Sequence, residues 1–125
     1  MDAAARERVE QAVWAASARW QEAFNTQNAA GCAAAYEPDA VMVAKPFGTF
    51  RGRAEIEAFW KKLHDDGFAD VAYVDPKLEV VDASSAVLSS GWTMNNARGV
   101  ITKELWILQE DGTALLREDE FEALG

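Results

Sequence analysis

The residue best placed to take part in chemistry is Glu104, an acid in the middle of a stretch of alternating apolar side chains. Period-two alternation predicts a strand on which Thr102 and Trp106 share the face of Glu104. If that face is internal, burial raises the pKa of the Glu104 carboxyl. A neutral carboxylic acid in a pocket can donate a hydrogen bond to a developing oxyanion. The alternative is a structural ion pair on the sheet with Arg117 or Lys103.

Tryptophan is frequent for a chain of this size, with five residues: Trp14, Trp20, Trp60, Trp92 and Trp106. Most tryptophans in a small domain serve as core. Each indole also carries one N–H group that needs a partner when it is buried. Several indoles around one cavity would provide flat apolar walls with a few donors, which suits a planar or ring-shaped ligand.

Metal and nucleotide sites are not indicated. One His and one Cys are too few for a zinc site of the usual kind, and the acidic clusters lack the spacing of a calcium loop. No dinucleotide fingerprint, Walker loop or nucleophile elbow is present. Turn geometry explains the glycines of the loop 45–52. We therefore predict neither a metal nor a cofactor.

Composition and charge limit the classes of partner that the protein can bind. The 125 residues suit one domain, and half of them are apolar. The net charge of −9 disfavours nucleic acid and anionic membranes, since both repel a negative protein. The N-terminus carries early charge and no continuous apolar run, and the single Cys32 cannot form an intrachain disulfide. We expect a cytoplasmic protein.

The first half of the chain reads as helical. Asp2 is a candidate N-cap for a long amphipathic helix, whose apolar face comprises Val9, Val13, Ala16, Trp20 and Phe24. Asn28 can cap a short second helix over Ala29 to Ala35. A turn at Pro38-Asp39 and a short strand over residues 41–43 follow. A third helix, about Arg53 to Asp65, buries Ile56, Phe59, Trp60 and Leu63.

The second half reads as strands near 70–82, 86–96, 99–109 and 114–122, separated by short polar turns. Consecutive hairpins predict an antiparallel meander, and helices followed by a meander predict an α+β fold. Both faces of the 99–109 strand are largely apolar. Alternate residues from Val100 to Leu108 form one face, and alternate residues from Ile101 to Ile107 form the other. We therefore expect the helices to cover one face and a second copy of the chain to cover the other, forming a homodimer.

Several motifs of the chain fit a known family. They are Arg19-Trp20, Ala23-Phe24-Asn25, Tyr36-Glu37-Pro38-Asp39-Ala40-Val41, Pro46-Phe47-Gly48, Arg51-Gly52, Ile56 and Phe59-Trp60. Together they resemble the nuclear transport factor two-like superfamily, in particular its SnoaL-like and ketosteroid isomerase-like branch. They are also similar to stand-alone relatives of the calmodulin-dependent kinase association domain. The resemblance implies one domain over 1–125, a cone-shaped barrel of a curved antiparallel sheet packed on three N-terminal helices (a cystatin-like roll), usually dimeric.

The same resemblance implies roles for individual residues. In the isomerase branch a general base precedes the loop proline, and a Tyr and a protonated acid hold the oxyanion. These three positions correspond to Lys45, Trp20 and Glu104, so only the acid is retained in type. On the last strand the resemblance places Arg117, Asp119 and Phe121 on the pocket side.

Three hypotheses follow. The first is a small-molecule-binding protein with an apolar pocket for a hydrophobic ligand, lined by Trp20, Tyr36, Trp60, Trp92, Trp106, Arg117 and Phe121. The second is a cofactor-free isomerase, cyclase or dehydratase acting on a ring-bearing substrate, in which Glu104 titrates and Asp39 or Asp119 assists. The third is an oligomerisation module. Asp39 has an alternative role as a turn residue that accepts backbone N–H groups.

Overall fold

The computed structural model describes residues 1–125 and contains three helices and one six-stranded sheet. The helices are α1 (Ala3–Asn25), α2 (Ala29–Ala34) and α3 (Gly52–Asp65). The strands are β1 (Tyr36–Lys45), β2 (Gly48–Arg51), β3 (Ala72–Asp82), β4 (Ser85–Thr93), β5 (Arg98–Leu108) and β6 (Ala114–Ala123). The helices pack on a curved, open sheet, which confirms the α+β cone.

Helix α1 forms as its sequence predicts. The Asp2 carboxylate accepts a hydrogen bond from the Ala5 N–H at 2.7 Å and so satisfies one of the free donors of the first turn. Its predicted apolar face is buried in full. At its end, the Asn25 side chain pairs with the backbone N–H and carbonyl of Val71. This pairing fixes the helix against the segment that leads into β3.

The two shorter helices follow similar rules. The Asn28 side chain caps α2 by accepting from the Gly31 N–H at 2.9 Å. Helix α3 buries Ile56, Phe59 and Trp60, which recur at helical spacing and therefore face the sheet together. Trp60 of α3 and Trp20 of α1 meet edge to face, with ring centroids 5.0 Å apart.

The strand order is β2-β1-β6-β5-β4-β3. Strands β3 to β6 form the predicted antiparallel meander, whereas β1 runs parallel to β6 and makes the sheet mixed. Two local predictions are wrong. Pro38-Asp39 lies inside β1, where a register shift between Tyr36 and Val41 accommodates the proline. The predicted loop over 45–52 contains strand β2, which pairs with β1.

Two further register shifts decide which side chains face the helices. One lies between Ile101 and Lys103 of β5, and the other falls at Arg117 of β6. Because side chains alternate along a strand, each shift moves the following residues to the opposite face. Ile101 therefore shares the inner face with Glu104, and the prediction that Thr102 does so is wrong.

The outer face of the sheet carries half-buried apolar side chains. Val87 of β4 lies opposite Leu105 of β5, and Ile107 follows on the same face.

No helix combines the length and the apolar character that crossing a bilayer requires.

Candidate functional site

A cavity lies between the helices and the inner face of strands β3 to β6. Helices α1 and α3 contribute one tryptophan each, and the strands contribute aromatic, aliphatic and acidic side chains. The lining residues are Trp20, Trp60, Val71, Tyr73, Trp92, Met94, Ile101, Glu104, Asp119 and Phe121. The cavity is partly open to solvent and has a volume of about 30 Å³, which is room for one or two water molecules. A ring-sized ligand therefore requires some of these side chains to move.

Two acids form the polar part of the cavity wall. Glu104 of β5 and Asp119 of β6 are directly opposite each other in the antiparallel pair. Residues so placed have Cβ atoms about 4.5–5.5 Å apart. Glu104 is 4% exposed and Asp119 is 5% exposed. Two carboxyl groups at this separation in an apolar interior cannot both ionise without a large electrostatic cost.

Each carboxyl is held by a tyrosine. The Tyr73 hydroxyl donates to Glu104 Oε2 at 2.9 Å, and the Trp106 indole N–H donates to Glu104 Oε1 at 3.0 Å. The Tyr36 hydroxyl donates to Asp119 Oδ2 at 2.6 Å. The other oxygen, Asp119 Oδ1, is buried and has no protein partner. Both oxygens of Glu104 are therefore occupied, whereas Asp119 has one oxygen available for chemistry.

Burial raises the pKa of both acids, and repulsion from Asp119 adds to the shift of Glu104. Desolvation, followed by repulsion from Asp119, raises the pKa of Glu104 to about 8, although hydrogen bonds from Trp106 and Tyr73 oppose the change. Desolvation also raises the pKa of Asp119 to about 7, against the Tyr36 hydrogen bond. The two carboxyls titrate as a pair. Near neutral pH the pair therefore holds a proton that separate exposed carboxyls would have released.

The tryptophan N–H groups are the second unusual feature. The Nε1 atoms of Trp20, Trp60 and Trp92 are buried and have no protein acceptor. Leaving a buried donor unpaired costs about 1–3 kcal/mol. One face of the Trp60 indole is covered, since Trp60 stacks on Phe121 at a centroid distance of 5.8 Å and an interplanar angle of 18°.

Most residues that the sequence proposed for the site lie at the cavity. Six line it directly: Glu104, Asp119, Trp20, Trp60, Trp92 and Phe121. Tyr36 and Trp106 are buried behind this layer and reach it through the hydrogen bonds to Asp119 and Glu104. Their predicted direct contact with a ligand is replaced by a role in orienting the two carboxyls.

The placement of Arg117 on the pocket side is wrong. The register shift at this residue turns its side chain outward, where Arg117 Nε contacts Glu37 Oε1 at 2.7 Å. Lys103 also faces out and pairs with Glu118 at 3.1 Å. The alternative that either cation neutralises Glu104 is therefore wrong as well.

Two further positions that the sequence analysis considered lie outside the cavity. Asp39 is exposed on β1 and does not line the cavity, so its predicted catalytic placement is wrong. Lys45, which corresponds to the base of the isomerase branch, lies near the surface with its ammonium 3.6 Å from Glu120. The proton-transferring group expected at that position is absent from the cavity wall.

Four lining residues were not predicted from the sequence: Val71, Tyr73, Met94 and Ile101. Tyr73 had a usable signal, because a tyrosine in an alternating strand that pairs with the next hairpin can reach an inward acid. Ile101 was assigned to the wrong face because the register shift in β5 leaves no mark in the residue pattern. No group of three or more His, Cys, Asp or Glu side chains lies close enough together to hold a metal ion.

Comparison with known proteins identifies the fold. The sequence profile of the SnoaL-like domain matches residues 17–115. No curated protein sequence matches the chain. A ketosteroid isomerase-like protein from Erwinia carotovora atroseptica SCRI1043 superposes with a TM-score of 0.77 at 16% identity, covering 92% of this chain and 95% of that one.

Two further solved structures are similar. A protein of unknown function with a cystatin-like fold from Nostoc punctiforme PCC 73102 gives a TM-score of 0.79 at 14% identity, covering 92% of this chain and 90% of that one. ActVI-ORFA from Streptomyces coelicolor gives 0.76 at 16% identity, covering 91% and 96%. At these identities the likeness concerns the fold alone.

Proposed function

Because the chain belongs to the SnoaL-like domain family, we propose that it binds a ring-bearing small molecule in the tryptophan-lined cavity and moves a proton on it without a cofactor. The observation that carries the proposal is the buried pair of Glu104 and Asp119 in the cavity wall. Two acids whose surroundings give them different pKa values are a common basis for acid–base catalysis. The sequence suggested Glu104 as the titrating group with Asp39 or Asp119 assisting, and the position of Asp119 opposite Glu104 favours Asp119 in that role.

Asp119 is the better base of the two. Its Oδ1 has no protein partner, whereas both carboxyl oxygens of Glu104 already accept hydrogen bonds. The ionised Asp119 Oδ1 removes a proton from a carbon next to a carbonyl group. The electrons of that C–H bond form a carbon–carbon double bond, and the negative charge passes to the carbonyl oxygen. Asp119 then returns the proton to another carbon of the same conjugated unit, which completes an isomerisation.

Glu104 supports the negative charge through Tyr73. When Glu104 holds its proton on Oε2, it donates to the Tyr73 hydroxyl oxygen instead of accepting from it. The Tyr73 hydrogen is then free to point into the cavity, which Tyr73 also lines. A phenol held in this way stabilises a developing oxyanion in a site that excludes water.

The second candidate is a binding protein without turnover. It is favoured by Lys45, which replaces the expected base and lies outside the cavity wall. The small volume of the cavity also favours binding of a compact ligand. Under this alternative the carboxyl pair orients the ligand and does not exchange protons with it.

Conversion of a β,γ-unsaturated cyclic ketone into its conjugated isomer, followed by ultraviolet absorbance, separates the two candidates. We expect turnover by the wild type and a loss of kcat of about 10²- to 10⁴-fold in Asp119→Asn. The matched control is Glu122→Gln, which alters an exposed acid of the same strand. Equal turnover in Asp119→Asn would exclude Asp119 as the base. If the wild type binds the ketone without turnover, the isomerase function is excluded and only the binding function remains.

A second copy of the chain is the partner that we propose for the outer sheet face. Val87, Leu105 and Ile107 are half-buried there although the helices cover only the opposite face. Contiguous apolar side chains on a sheet face are typical of an interface. A symmetric dimer would cover this surface and leave the cavity on the other side of each sheet.

A further inference from the structure

The five tryptophans differ in how their N–H groups are satisfied. Trp106 donates to Glu104, and Trp14 is 41% exposed. The N–H groups of Trp20, Trp60 and Trp92 are buried and have no protein acceptor, and all three residues line the same cavity. Buried polar groups in native proteins are nearly always paired, so three unpaired donors around one cavity call for an occupant with acceptors.

A single water molecule does not account for the three donors. The cavity of about 30 Å³ has room for one or two waters. Each water oxygen accepts at most two hydrogen bonds, so one water leaves at least one indole N–H unpaired. The edge-to-face contact of Trp20 with Trp60 offers only an aromatic face, which is a weak acceptor. An occupant with two or more oxygen acceptors fits the donors better.

We infer that Trp20, Trp60 and Trp92 form a donor array that selects uncharged ring compounds carrying two or more carbonyl or ether oxygens. This inference deepens the proposed function, because it names the ligand class of the same cavity. The remaining lining positions are apolar, apart from the Tyr73 hydroxyl and the two acids. The array therefore presents an excess of donors, which is complementary to a ligand rich in acceptors and poor in donors.

The charge of the site disfavours an anionic ligand. No Lys, Arg or His lines the cavity, and the carboxyl pair repels an anionic ligand. An organic cation would need free aromatic faces. One face of Trp60 is covered by Phe121, and one face of Trp20 is covered by Phe24 at a centroid distance of 5.5 Å. An uncharged ligand that meets the indole edges fits the unpaired donors best.

Three probes with the same two-ring skeleton test the array. They are 4-chromanone, 1-tetralone and tetralin, which carry two, one and no oxygen acceptors. The wild-type protein is labelled with ¹⁵N-tryptophan, and its five indole N–H signals are followed by NMR during titration. We expect 4-chromanone to shift the signals of Trp20, Trp60 and Trp92 downfield. The Trp14 signal is the internal control and stays in place.

Single Trp→Phe variants assign these signals and measure each donor, because phenylalanine keeps an apolar ring and removes the N–H. Replacing Trp20, Trp60 or Trp92 should weaken 4-chromanone binding by about 2- to 10-fold relative to tetralin binding, as expected for one net hydrogen bond. Trp14→Phe is the matched control and should change neither affinity. The titration of the unmodified protein needs no variant, so a misfolded variant does not block the test.

The outcomes separate the array from the proposed function. If 4-chromanone binds and none of the three signals moves, the array is wrong, and so it is if 4-chromanone does not bind at all. If tetramethylammonium shifts the same signals while 4-chromanone does not, the cavity is a cation site. Hydrogen–deuterium exchange at the carbon next to the 4-chromanone carbonyl tests proton transfer separately, since its loss in Asp119→Asn concerns only the acids.

Discussion

The most informative perturbation of the site is Glu104→Gln. The amide has nearly the same shape as the protonated acid that burial favours. Its oxygen can accept from the Trp106 indole, and its NH₂ group can donate to the Tyr73 hydroxyl oxygen. The substitution therefore keeps the hydrogen bonds of the neutral side chain and removes its ability to ionise.

The magnitude follows from proton linkage. The pKa of Glu104 is 4.5 as its ordinary value and is raised to about 8 in the folded protein. Between about pH 5 and pH 7 the unfolded chain has released this proton and the folded chain has kept it. The free energy of unfolding then falls by about 1.4 kcal/mol for each pH unit of rise. Stability contributed by the neutral acid is thus complete at low pH and is lost as the pH rises towards the folded value.

Urea unfolding at half-unit steps from about pH 5 to pH 7 measures this slope, with tryptophan fluorescence as the signal. Asp119 adds a second contribution of the same sign, because burial raises its pKa to about 7. We expect Glu104→Gln to reduce the downward slope by about 1.4 kcal/mol per pH unit and to be the more stable protein at pH 7 by about 3 kcal/mol at most. Glu122→Gln is the control. An unchanged slope in Glu104→Gln would refute the buried, proton-retaining acid.

Three other predictions test neighbouring parts of the account. Tyr73→Phe removes a hydrogen bond that favours the ionised form of Glu104, so the high-pH limb of the kcat profile should move to higher pH while kcat falls; a limb that moves to lower pH contradicts this role. Arg117→Ala should leave 4-chromanone affinity unchanged and cost less than about 1 kcal/mol in urea unfolding, because its ion pair is exposed; a loss of affinity would return Arg117 to the site. Sedimentation velocity should show a dimer at micromolar concentration, and Leu105→Glu with Ile107→Glu should give a monomer; a monomeric wild type would exclude the interface.

The sequence predicted those features that depend on local rules. The spacing of Val9, Val13 and Trp20 placed them on one buried face of α1 because an α-helix repeats every 3.6 residues. Asn28 capped α2 for an equally local reason. The apolar setting of Glu104 was also predictable from its position in an alternating strand.

The rest depends on register across the sheet, which no local pattern encodes. The shift at Arg117 turns that side chain outward and brings Asp119 opposite Glu104. The hydrogen bond from Tyr36 to Asp119 joins residues 83 positions apart in the chain. The sequence offered Asp119 as one of two acids that could assist Glu104, and only the alignment of the strands brings the two carboxyls together as a pair.

The protonation state of the two acids is the most direct test of the central claim. Carbon-13 NMR of labelled glutamate and aspartate carboxyls, assigned with Glu104→Gln and Asp119→Asn, can follow each group from pH 4 to pH 9. Burial and repulsion predict that at least one of the two carboxyls remains protonated at pH 6.5, in the absence of any ligand. Complete ionisation of both carboxyls below pH 5 would contradict the account.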